Sequence, residues 1–455
     1  MNIRQNRPTF LVLHLIMLAS ALPLVMFPRD SFLLPLLLLL PAIILSHRLY
    51  SGQWWPATAF NLPLLLMCLM LAVSLAITFD IGVSFGKILG VAYGMLLFAG
   101  VVSFTLRRKA GLWLCLVALA LTSTGMGIIG LLGAEFPQRA AFLNVIADRL
   151  PAALFSLPGA ESGFNPNQVA GVLLWAAPLM LVLTGAGLEW RRRRPAGANS
   201  PPYALAGQVA SGFIALFLAL VVALTQSRGG LLGLGFGVGL ALFLWLFNQR
   251  RRLAVILLPI LFLAGATAFF LVFQDSLLNG QGAFPQDTQV TGEVIASSGS
   301  INTLEGRMEI WSRAVYGIQD FPFTGMGIGV FREVVPILYP LFRISPATDI
   351  AHAHNMWLQA GLDLGIVGLI AYGATGILAL AMMLQVWLFG ESFWLRALAL
   401  GCLASLGGSF VYGLFDTVAL GAKPGFIFWL LLGIVAAIHR QFLLDQDPAA
   451  ARKPA

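Results

Sequence analysis

Runs of roughly 17 to 25 mostly apolar residues, separated by short polar connections, recur along almost the whole chain, and each can cross a bilayer core as a helix. They predict about twelve spans, near residues 8–27, 31–46, 59–79, 86–105, 110–133, 167–188, 204–225, 230–248, 253–273, 357–387, 395–413 and 424–440. The second is short and punctuated by Pro35 and Pro41. The pattern lapses between about 274 and 353, a connection too long to be a simple turn. Its first half, Gly280 to Ser300, is rich in Gly, Gln, Ser and Thr and reads as a lid. In its second half Met308, Trp311, Val315 and Ile318 fall at helical spacing. A further short helix is predicted from Phe331 to Phe342, after the turn-like Phe321-Pro322-Phe323-Thr324-Gly325. The predicted fold is an all-α polytopic membrane protein. Residues 1–455 form one integral membrane domain, and an extracytoplasmic loop with short helices, 274–353, joins the ninth and tenth spans. No small-residue cleavage site follows the first span, which is therefore expected to be retained.

Composition agrees. Charged residues are 10% and hydrophobic residues 59% of the 455, and the mean hydropathy is +0.87, leaving too little polar surface for a soluble protein of this size. The net charge of +8 is placed unevenly. With Arg4 and Arg7 inside, the connections on that side carry Arg48, then Arg107, Arg108 and Lys109, then Arg191 to Arg194, then Arg250 to Arg252. The tail adds Arg440, Arg452 and Lys453. Basic loops stay cytoplasmic, so both termini are expected inside and the 274–353 loop outside. Anionic membrane lipids are the expected partner of this charge, and nothing in it suggests nucleic acid. Trp54, Trp55, Trp190 and Trp245 sit at span ends, as interfacial aromatics do. Cys68, Cys115 and Cys402 fall inside predicted spans and read as small core residues. No phosphate-binding loop, zinc signature or dinucleotide glycine pattern occurs, so no metal and no cofactor are expected.

Candidate chemistry gathers at the outer span ends. His354 and Asn355 open a long apolar helix, with Gly365 and Gly368 following. On a regular helix Gly361, Gly365 and Gly368 share the stripe of His354, which predicts a groove that seats a neighbouring helix and fixes the ring. A packing motif whose His caps or snorkels is the plain alternative; a general base is the other. Arg228 stands between Ser227 and Gly229-Gly230 at the start of the eighth span. Free helix N–H groups, small residues and a guanidinium together suit a phosphate, although a tight hairpin with a snorkelling Arg has the same sequence. Asn165-Pro166-Asn167-Gln168 opens the sixth span as a cap, with Asn167 or Gln168 as a candidate substrate contact. Arg307 is either a site residue or half of a surface ion pair with Glu305 or Glu309. Lys87 and Asp416 are boundary charges able to line the same cavity. His352 shares the loop of His354, and mid-span His14 reads as structural.

Asn165-Pro166-Asn167, Ser227-Arg228-Gly229-Gly230, Gly306-Arg307 followed by Trp311 and the Pro322 to Gly329 turn, and His354-Asn355 with Gly365 and Gly368 occur in a characteristic order. In this the chain resembles the bacterial O-antigen ligase and polymerase superfamily, over residues 160–440. The first five spans resemble it only in count and spacing. The resemblance implies an inverting, metal-independent glycosyltransferase at the outer face of the bacterial inner membrane, which moves a glycan from undecaprenyl diphosphate to an acceptor hydroxyl. It puts the essential His at His354 and the two phosphate-binding arginines at Arg228 and Arg307, with Arg313, Arg332 and Arg343 competing for the second role. The chemistry is coherent. A donor used outside the cytoplasm must carry its own leaving group, and a lipid diphosphate does. Two guanidiniums and helix N-termini would neutralise the leaving diphosphate, and His354 would take the proton of the attacking hydroxyl, with Asn355 in support.

The acceptor separates the activities within the superfamily. A ligase uses the terminal sugar of a lipid A core, a polymerase the end of a growing glycan, a protein glycosylase a Ser or Thr. The intact His motif and the single large loop favour ligation, with polymerisation next. A transporter or flippase for lipid-linked sugars explains the spans and the outer arginines but has no use for a titratable base. The peptidoglycan polymerases of shape and division rely on an external Asp, and Asp416 lacks a supporting motif.

Overall fold

The computed structural model describes residues 7–33, 40–106, 109–134, 163–194, 202–253, 304–342 and 348–447, with a few isolated positions between. Among these the fold is helical and contains no named strand; an isolated bridge joins Ala134 to Phe164. The helices are α1 (Arg7–Met26), α2 (Leu40–Ser51), α3 (Asn61–Ile77), α4 (Ile81–Thr105), α5 (Lys109–Gly133), α6 (Pro166–Leu173), α7 (Ala177–Arg192), α8 (Pro202–Leu224) and α9 (Arg228–Gln249). They continue with α10 (Leu304–Asp320), α11 (Phe331–Leu338), α12 (Met356–Phe389), α13 (Phe393–Gly413) and α14 (Phe426–Gln446).

Eight helical segments among the described residues are long and apolar enough to cross a membrane, fewer than the twelve expected. The first three predicted spans give shorter apolar helices, Val12–Met26, Leu40–Leu49 and Asn61–Ile77. The ninth, 253–273, lies almost wholly outside the described residues, as does the Gly280 to Ser300 stretch. The helices are apolar on all sides because they face two apolar surroundings. Leu62, Leu65 and Leu69 of α3, Phe213 and Leu216 of α8, and Ile370 and Ile377 of α12 are exposed, as lipid contact requires. Leu97, Phe98 and Val101 of α4 and Leu430 to Ile434 of α14 fill the interior. Cys115 and Cys402 are buried, whereas Cys68 is exposed on α3.

The α9 and α13 backbones approach closely. A Cβ on Gly233 would stand 2.6 Å from the Gly408 carbonyl oxygen and one on Gly237 2.6 Å from that of Ala404, so small residues set this crossing. The predicted sixth span is two helices, α6 and α7, broken at Leu174 to Ala176. Pro178 has no N–H to offer the Leu174 carbonyl, which removes a helical hydrogen bond at the break.

The glycines after His354 do not form the expected groove. Gly365 has φ 65° and ψ −176° and interrupts α12. The turn from Phe321 to Gly329 occupies the break. Ile366 N–H donates to the Pro322 carbonyl (2.7 Å) and Met326 N–H donates to the Leu362 carbonyl (2.7 Å). Backbone groups freed by the kink are thus paired with the turn, the condition for irregular backbone in an apolar setting. The turn is also tied to α3 and α4, since Ile328 N–H donates to Ser74 Oγ (2.7 Å) and Ser84 Oγ–H to the Ile328 carbonyl (2.8 Å). Gly361 meets Ile318 of α10, and Gly368 meets Leu364 of its own helix.

Gly365→Ala is therefore expected to destabilise the protein. The new Cβ would sit 2.8 Å from Phe323 backbone atoms, in a backbone region open essentially to glycine alone. Strain and overpacking together amount to roughly 2–5 kcal/mol. Thermal unfolding in detergent checks this, with Gly376→Ala as the control, because a Cβ at Gly376 meets nothing within 4 Å.

Above this junction α10, α11 and the turn share a small core of their own. Ile310, Ala314, Met326, Phe331, Val335 and Ala353 belong to it together with Leu362 of α12. Residue 353 immediately precedes His354, so this core fixes the approach to the site.

Candidate active site

His354 is 6% exposed and has φ 47°, a conformation uncommon for a residue with a side chain. It is held from several sides. Its carbonyl accepts from Trp311 Nε1–H (3.2 Å) and its N–H donates to His352 Nδ1 (3.3 Å). Asn355 caps α12, its Oδ1 accepting from the N–H groups of Trp357 (2.9 Å) and Leu358 (3.1 Å), while its Nδ2 donates to the Leu414 carbonyl (3.1 Å). Asn355 thus ends the loop and pins the head of α12 to the end of α13, and such a cap contributes about 1 kcal/mol.

The imidazole faces Asp416, 62 residues away in sequence, with His354 Nδ1 3.2 Å from Asp416 Oδ1. A carboxylate can only accept, so a neutral His354 carries its proton on Nδ1 and leaves the Nε2 lone pair available. Asp416 is 2% exposed. Burial alone would raise its pKa, but His354, by charge and hydrogen bond, with His352 and Arg307, holds the carboxyl well below the usual carboxylate range. His352 stacks edge-on to His354 at 4.4 Å between ring centroids. Its own burial, helped by the charge of His354, pushes it down to about 3 against the pull of Asp416. It is a neutral acceptor for the His354 N–H.

Arg307 completes the cluster from α10. It is 7% exposed, its Nη1 donates to the Phe415 carbonyl (2.5 Å) and its Nη2 lies 3.7 Å from Asp416 Oδ2. Its Nε and Asp416 Oδ2 have no hydrogen-bond partner among the described residues. A buried guanidinium with spare donors is suited to an anion. The alternative, a surface pair with Glu305 or Glu309, is not what forms among the described residues. Glu309 instead accepts from the N–H groups of Phe342 (2.6 Å) and Ile344 (3.2 Å) and pairs with Arg313 at 3.6 Å. Arg332 pairs with Asp349 at 2.8 Å in the open, and Arg343 lies outside the described residues.

The remaining sequence candidates converge on the end of α13. Ser227 caps α9 by accepting from Gly230 N–H (3.3 Å), so Arg228 is the first helical residue and half-buried. A Cβ on Gly229 would stand 3.6 Å from Phe415 Cβ, and one on Gly230 would press on Ala170 of α6. Asn165 caps α6, and the Asn167 carbonyl accepts from Tyr412 Oη–H (2.8 Å). Asn167 and Gln168 are half-buried beside it. Lys87 of α4 lies against Gly329 and acts electrostatically on His352. Gln226 and His354 are the only described non-glycine residues with positive φ, and both flank this region, where stored strain tends to sit.

Four participants carried little sequence signal. His352 only shared the loop of His354, while Tyr412 lies within the predicted span 395–413 and Gln359 and Asp363 within 357–387, where no motif singled them out. The i, i+4 spacing of the last two was the one available clue.

One oxygen or nitrogen each from His352, His354 and Asp416 lies within 4.8 Å of the others. By donor type these three could hold a divalent cation. Such an ion would share the Asp416 carboxylate with the Arg307 guanidinium, an electrostatic competitor 3.7 Å away.

A polytopic helical protein with a buried His–Asp–Arg cluster at the head of one span is thus a membrane protein built around polar chemistry. Residues 213–373 match the family model described as O-antigen ligase, so this segment is similar to a group of membrane glycosyltransferase-like enzymes. The matched segment contains Arg228, Arg307, His354 and Asn355; Lys87, Asn167, Gln168 and Asp416 lie outside it. No curated protein matches the chain.

Proposed function

We propose that this protein transfers a glycan from undecaprenyl diphosphate to an acceptor hydroxyl, with inversion at the anomeric carbon, and that the acceptor is a lipid A core. The observation that carries the reading is the His354 Nδ1 contact to Asp416 with Arg307 behind the same carboxylate. His354 Nε2 takes the hydroxyl proton as the acceptor oxygen bonds to the anomeric carbon. The bond from that carbon to the diphosphate oxygen breaks, and its electron pair leaves with undecaprenyl diphosphate. Asp416 stabilises the imidazolium. Arg307, Arg228 and the positive end of α9 neutralise the leaving group. Asn167, Gln168 and Lys87 line the approach. A good leaving group makes a general acid dispensable, consistent with a site whose one carboxylate is engaged by His354 and Arg307.

Orientation follows from the basic clusters. Arg191 to Arg194 end α7, and Arg250 to Arg252 follow α9, at the opposite helix ends from Asn165, Arg228 and His354. With basic ends cytoplasmic, the site faces the periplasm from the inner membrane and both termini lie inside.

On this reading a chelator leaves transfer rates unchanged, because guanidiniums and not a metal meet the diphosphate. Turnover of the purified enzyme with and without excess EDTA is the test. Loss of activity restored by a divalent ion would instead assign His352, His354 and Asp416 to a metal centre.

A further inference from the structure

Two buried polar residues of α12 lie outside the proposed reaction. Gln359 is 3% exposed and Asp363 2%, and each makes a specific contact. Gln359 Oε1 accepts from Ala353 N–H (2.8 Å), and Gln359 Nε2 donates to Asp363 Oδ1 (2.9 Å). Asp363 Oδ1 also accepts from Gly329 N–H (3.1 Å). The amide orientation of Gln359 is fixed by chemistry, since a backbone N–H requires its oxygen and a carboxylate requires its NH₂. The chain of bonds runs from the turn seated in the Gly365 kink, through Asp363 and Gln359, to the peptide that immediately precedes His354.

We infer that Gln359, oriented by Asp363, is a positioning residue that sets the backbone conformation of His354, so that its ring meets Asp416 with Nε2 directed to the acceptor. The inference rests on the glycosyltransferase reading for its catalytic consequence, but not for its geometry. His354 has φ 47°, and an unfavourable backbone conformation of this kind persists only where its surroundings over-determine it. The Ala353 N–H is one of those constraints. It is buried, and without Gln359 it has no side-chain acceptor, so the loop would relax and carry the imidazole with it. Asp363 supplies the second half of the device. Its Oδ1 binds both Gln359 and the turn, while its Oδ2 has no hydrogen-bond partner among the described residues. One carboxyl oxygen therefore carries the whole contact, and a neutral amide at this position would serve as well.

The test compares Gln359→Met, which keeps length and removes both polar atoms, with Asp363→Asn, which keeps the accepting oxygen. Hydrogen exchange of peptides spanning residues 351–356 is measured in nanodiscs, and transfer kinetics are measured alongside. Exchange in Gln359→Met is expected about tenfold faster than in the wild type, with Asp363→Asn close to the wild type. The kcat of Gln359→Met falls about 10- to 100-fold with donor KM within about twofold, and Gln359→Met adds nothing to the loss in a His354→Gln background. A merely structural role would slow both backgrounds alike. If Gln359→Met does not fold, Asp363→Leu, which leaves the Gln359 amide without its anchor, is read in the same way. Unchanged exchange in the 351–356 peptides overturns the inference, and so does wild-type kcat in Gln359→Met beside an inactive His354→Gln. Equal transfer by wild type and His354→Gln would defeat the assignment of His354 as the base, and exchange would still decide whether Gln359 holds the loop.

Discussion

His354→Gln is expected to lower kcat by about 10²- to 10⁴-fold, the usual contribution of a general base, while donor binding is retained. Glutamine keeps an N–H that can face Asp416 and is neutral, as His354 is before proton transfer, so it removes the basic lone pair with little change in local charge. Histidine adopts a positive φ more readily than most residues, but Asn355, Trp311 and Gln359 continue to hold the loop in the variant. A kinetic loss with an unchanged thermal midpoint therefore isolates the proton transfer. If His354 only packs or caps, the variant turns over as the wild type does. Measuring kcat and donor KM separately decides between them, because loss of the base acts on the chemical step and not on the diphosphate.

Asp416→Asn is expected to damage both stability and rate. The carboxylate lies 3.7 Å from the buried Arg307 Nη2 and 3.2 Å from His354 Nδ1, and breaking a buried ion pair from one side costs about 3–5 kcal/mol because the remaining charge stays buried. In the same step the amide loses the charge that stabilises the imidazolium and can offer its NH₂ to Nδ1, which moves the His proton to Nε2. We expect kcat per folded molecule to fall at least about 100-fold with a lowered melting temperature. Wild-type kcat in a folded Asp416→Asn would remove Asp416 from the mechanism.

Much of the local architecture is legible in the sequence. Asn165, Ser227 and Asn355 each precede a helix and cap it, because capping depends on a residue and its next few neighbours. The short helices around Arg307 and Phe331 follow from periodicity in the same way, the second ending at Leu338 and not at Phe342. What sequence could not supply is contact between distant segments. Asp416 was a lone acid without a motif, and only folding brings the end of α13 to the head of α12. The Gly365 break was hidden because the apolar run continues through it, while the turn that fills the kink lies about 40 residues earlier in the chain. Beyond the i, i+4 spacing of Gln359 and Asp363 their role was hidden for the same reason, since their other partners, Ala353 and Gly329, are backbone groups with no side-chain signature.

The most direct test of the central claim is transfer from a synthetic undecaprenyl diphosphate glycan by the purified wild type, run in parallel with a lipid A core acceptor and with none. Glycosylated core of inverted anomeric configuration, absent without the acceptor, is the predicted product. Elongation of the donor without core would make the protein a polymerase using the same site. No product under either condition, with the donor bound and unchanged, would contradict glycan transfer and leave a binding or transport role for the cluster around His354.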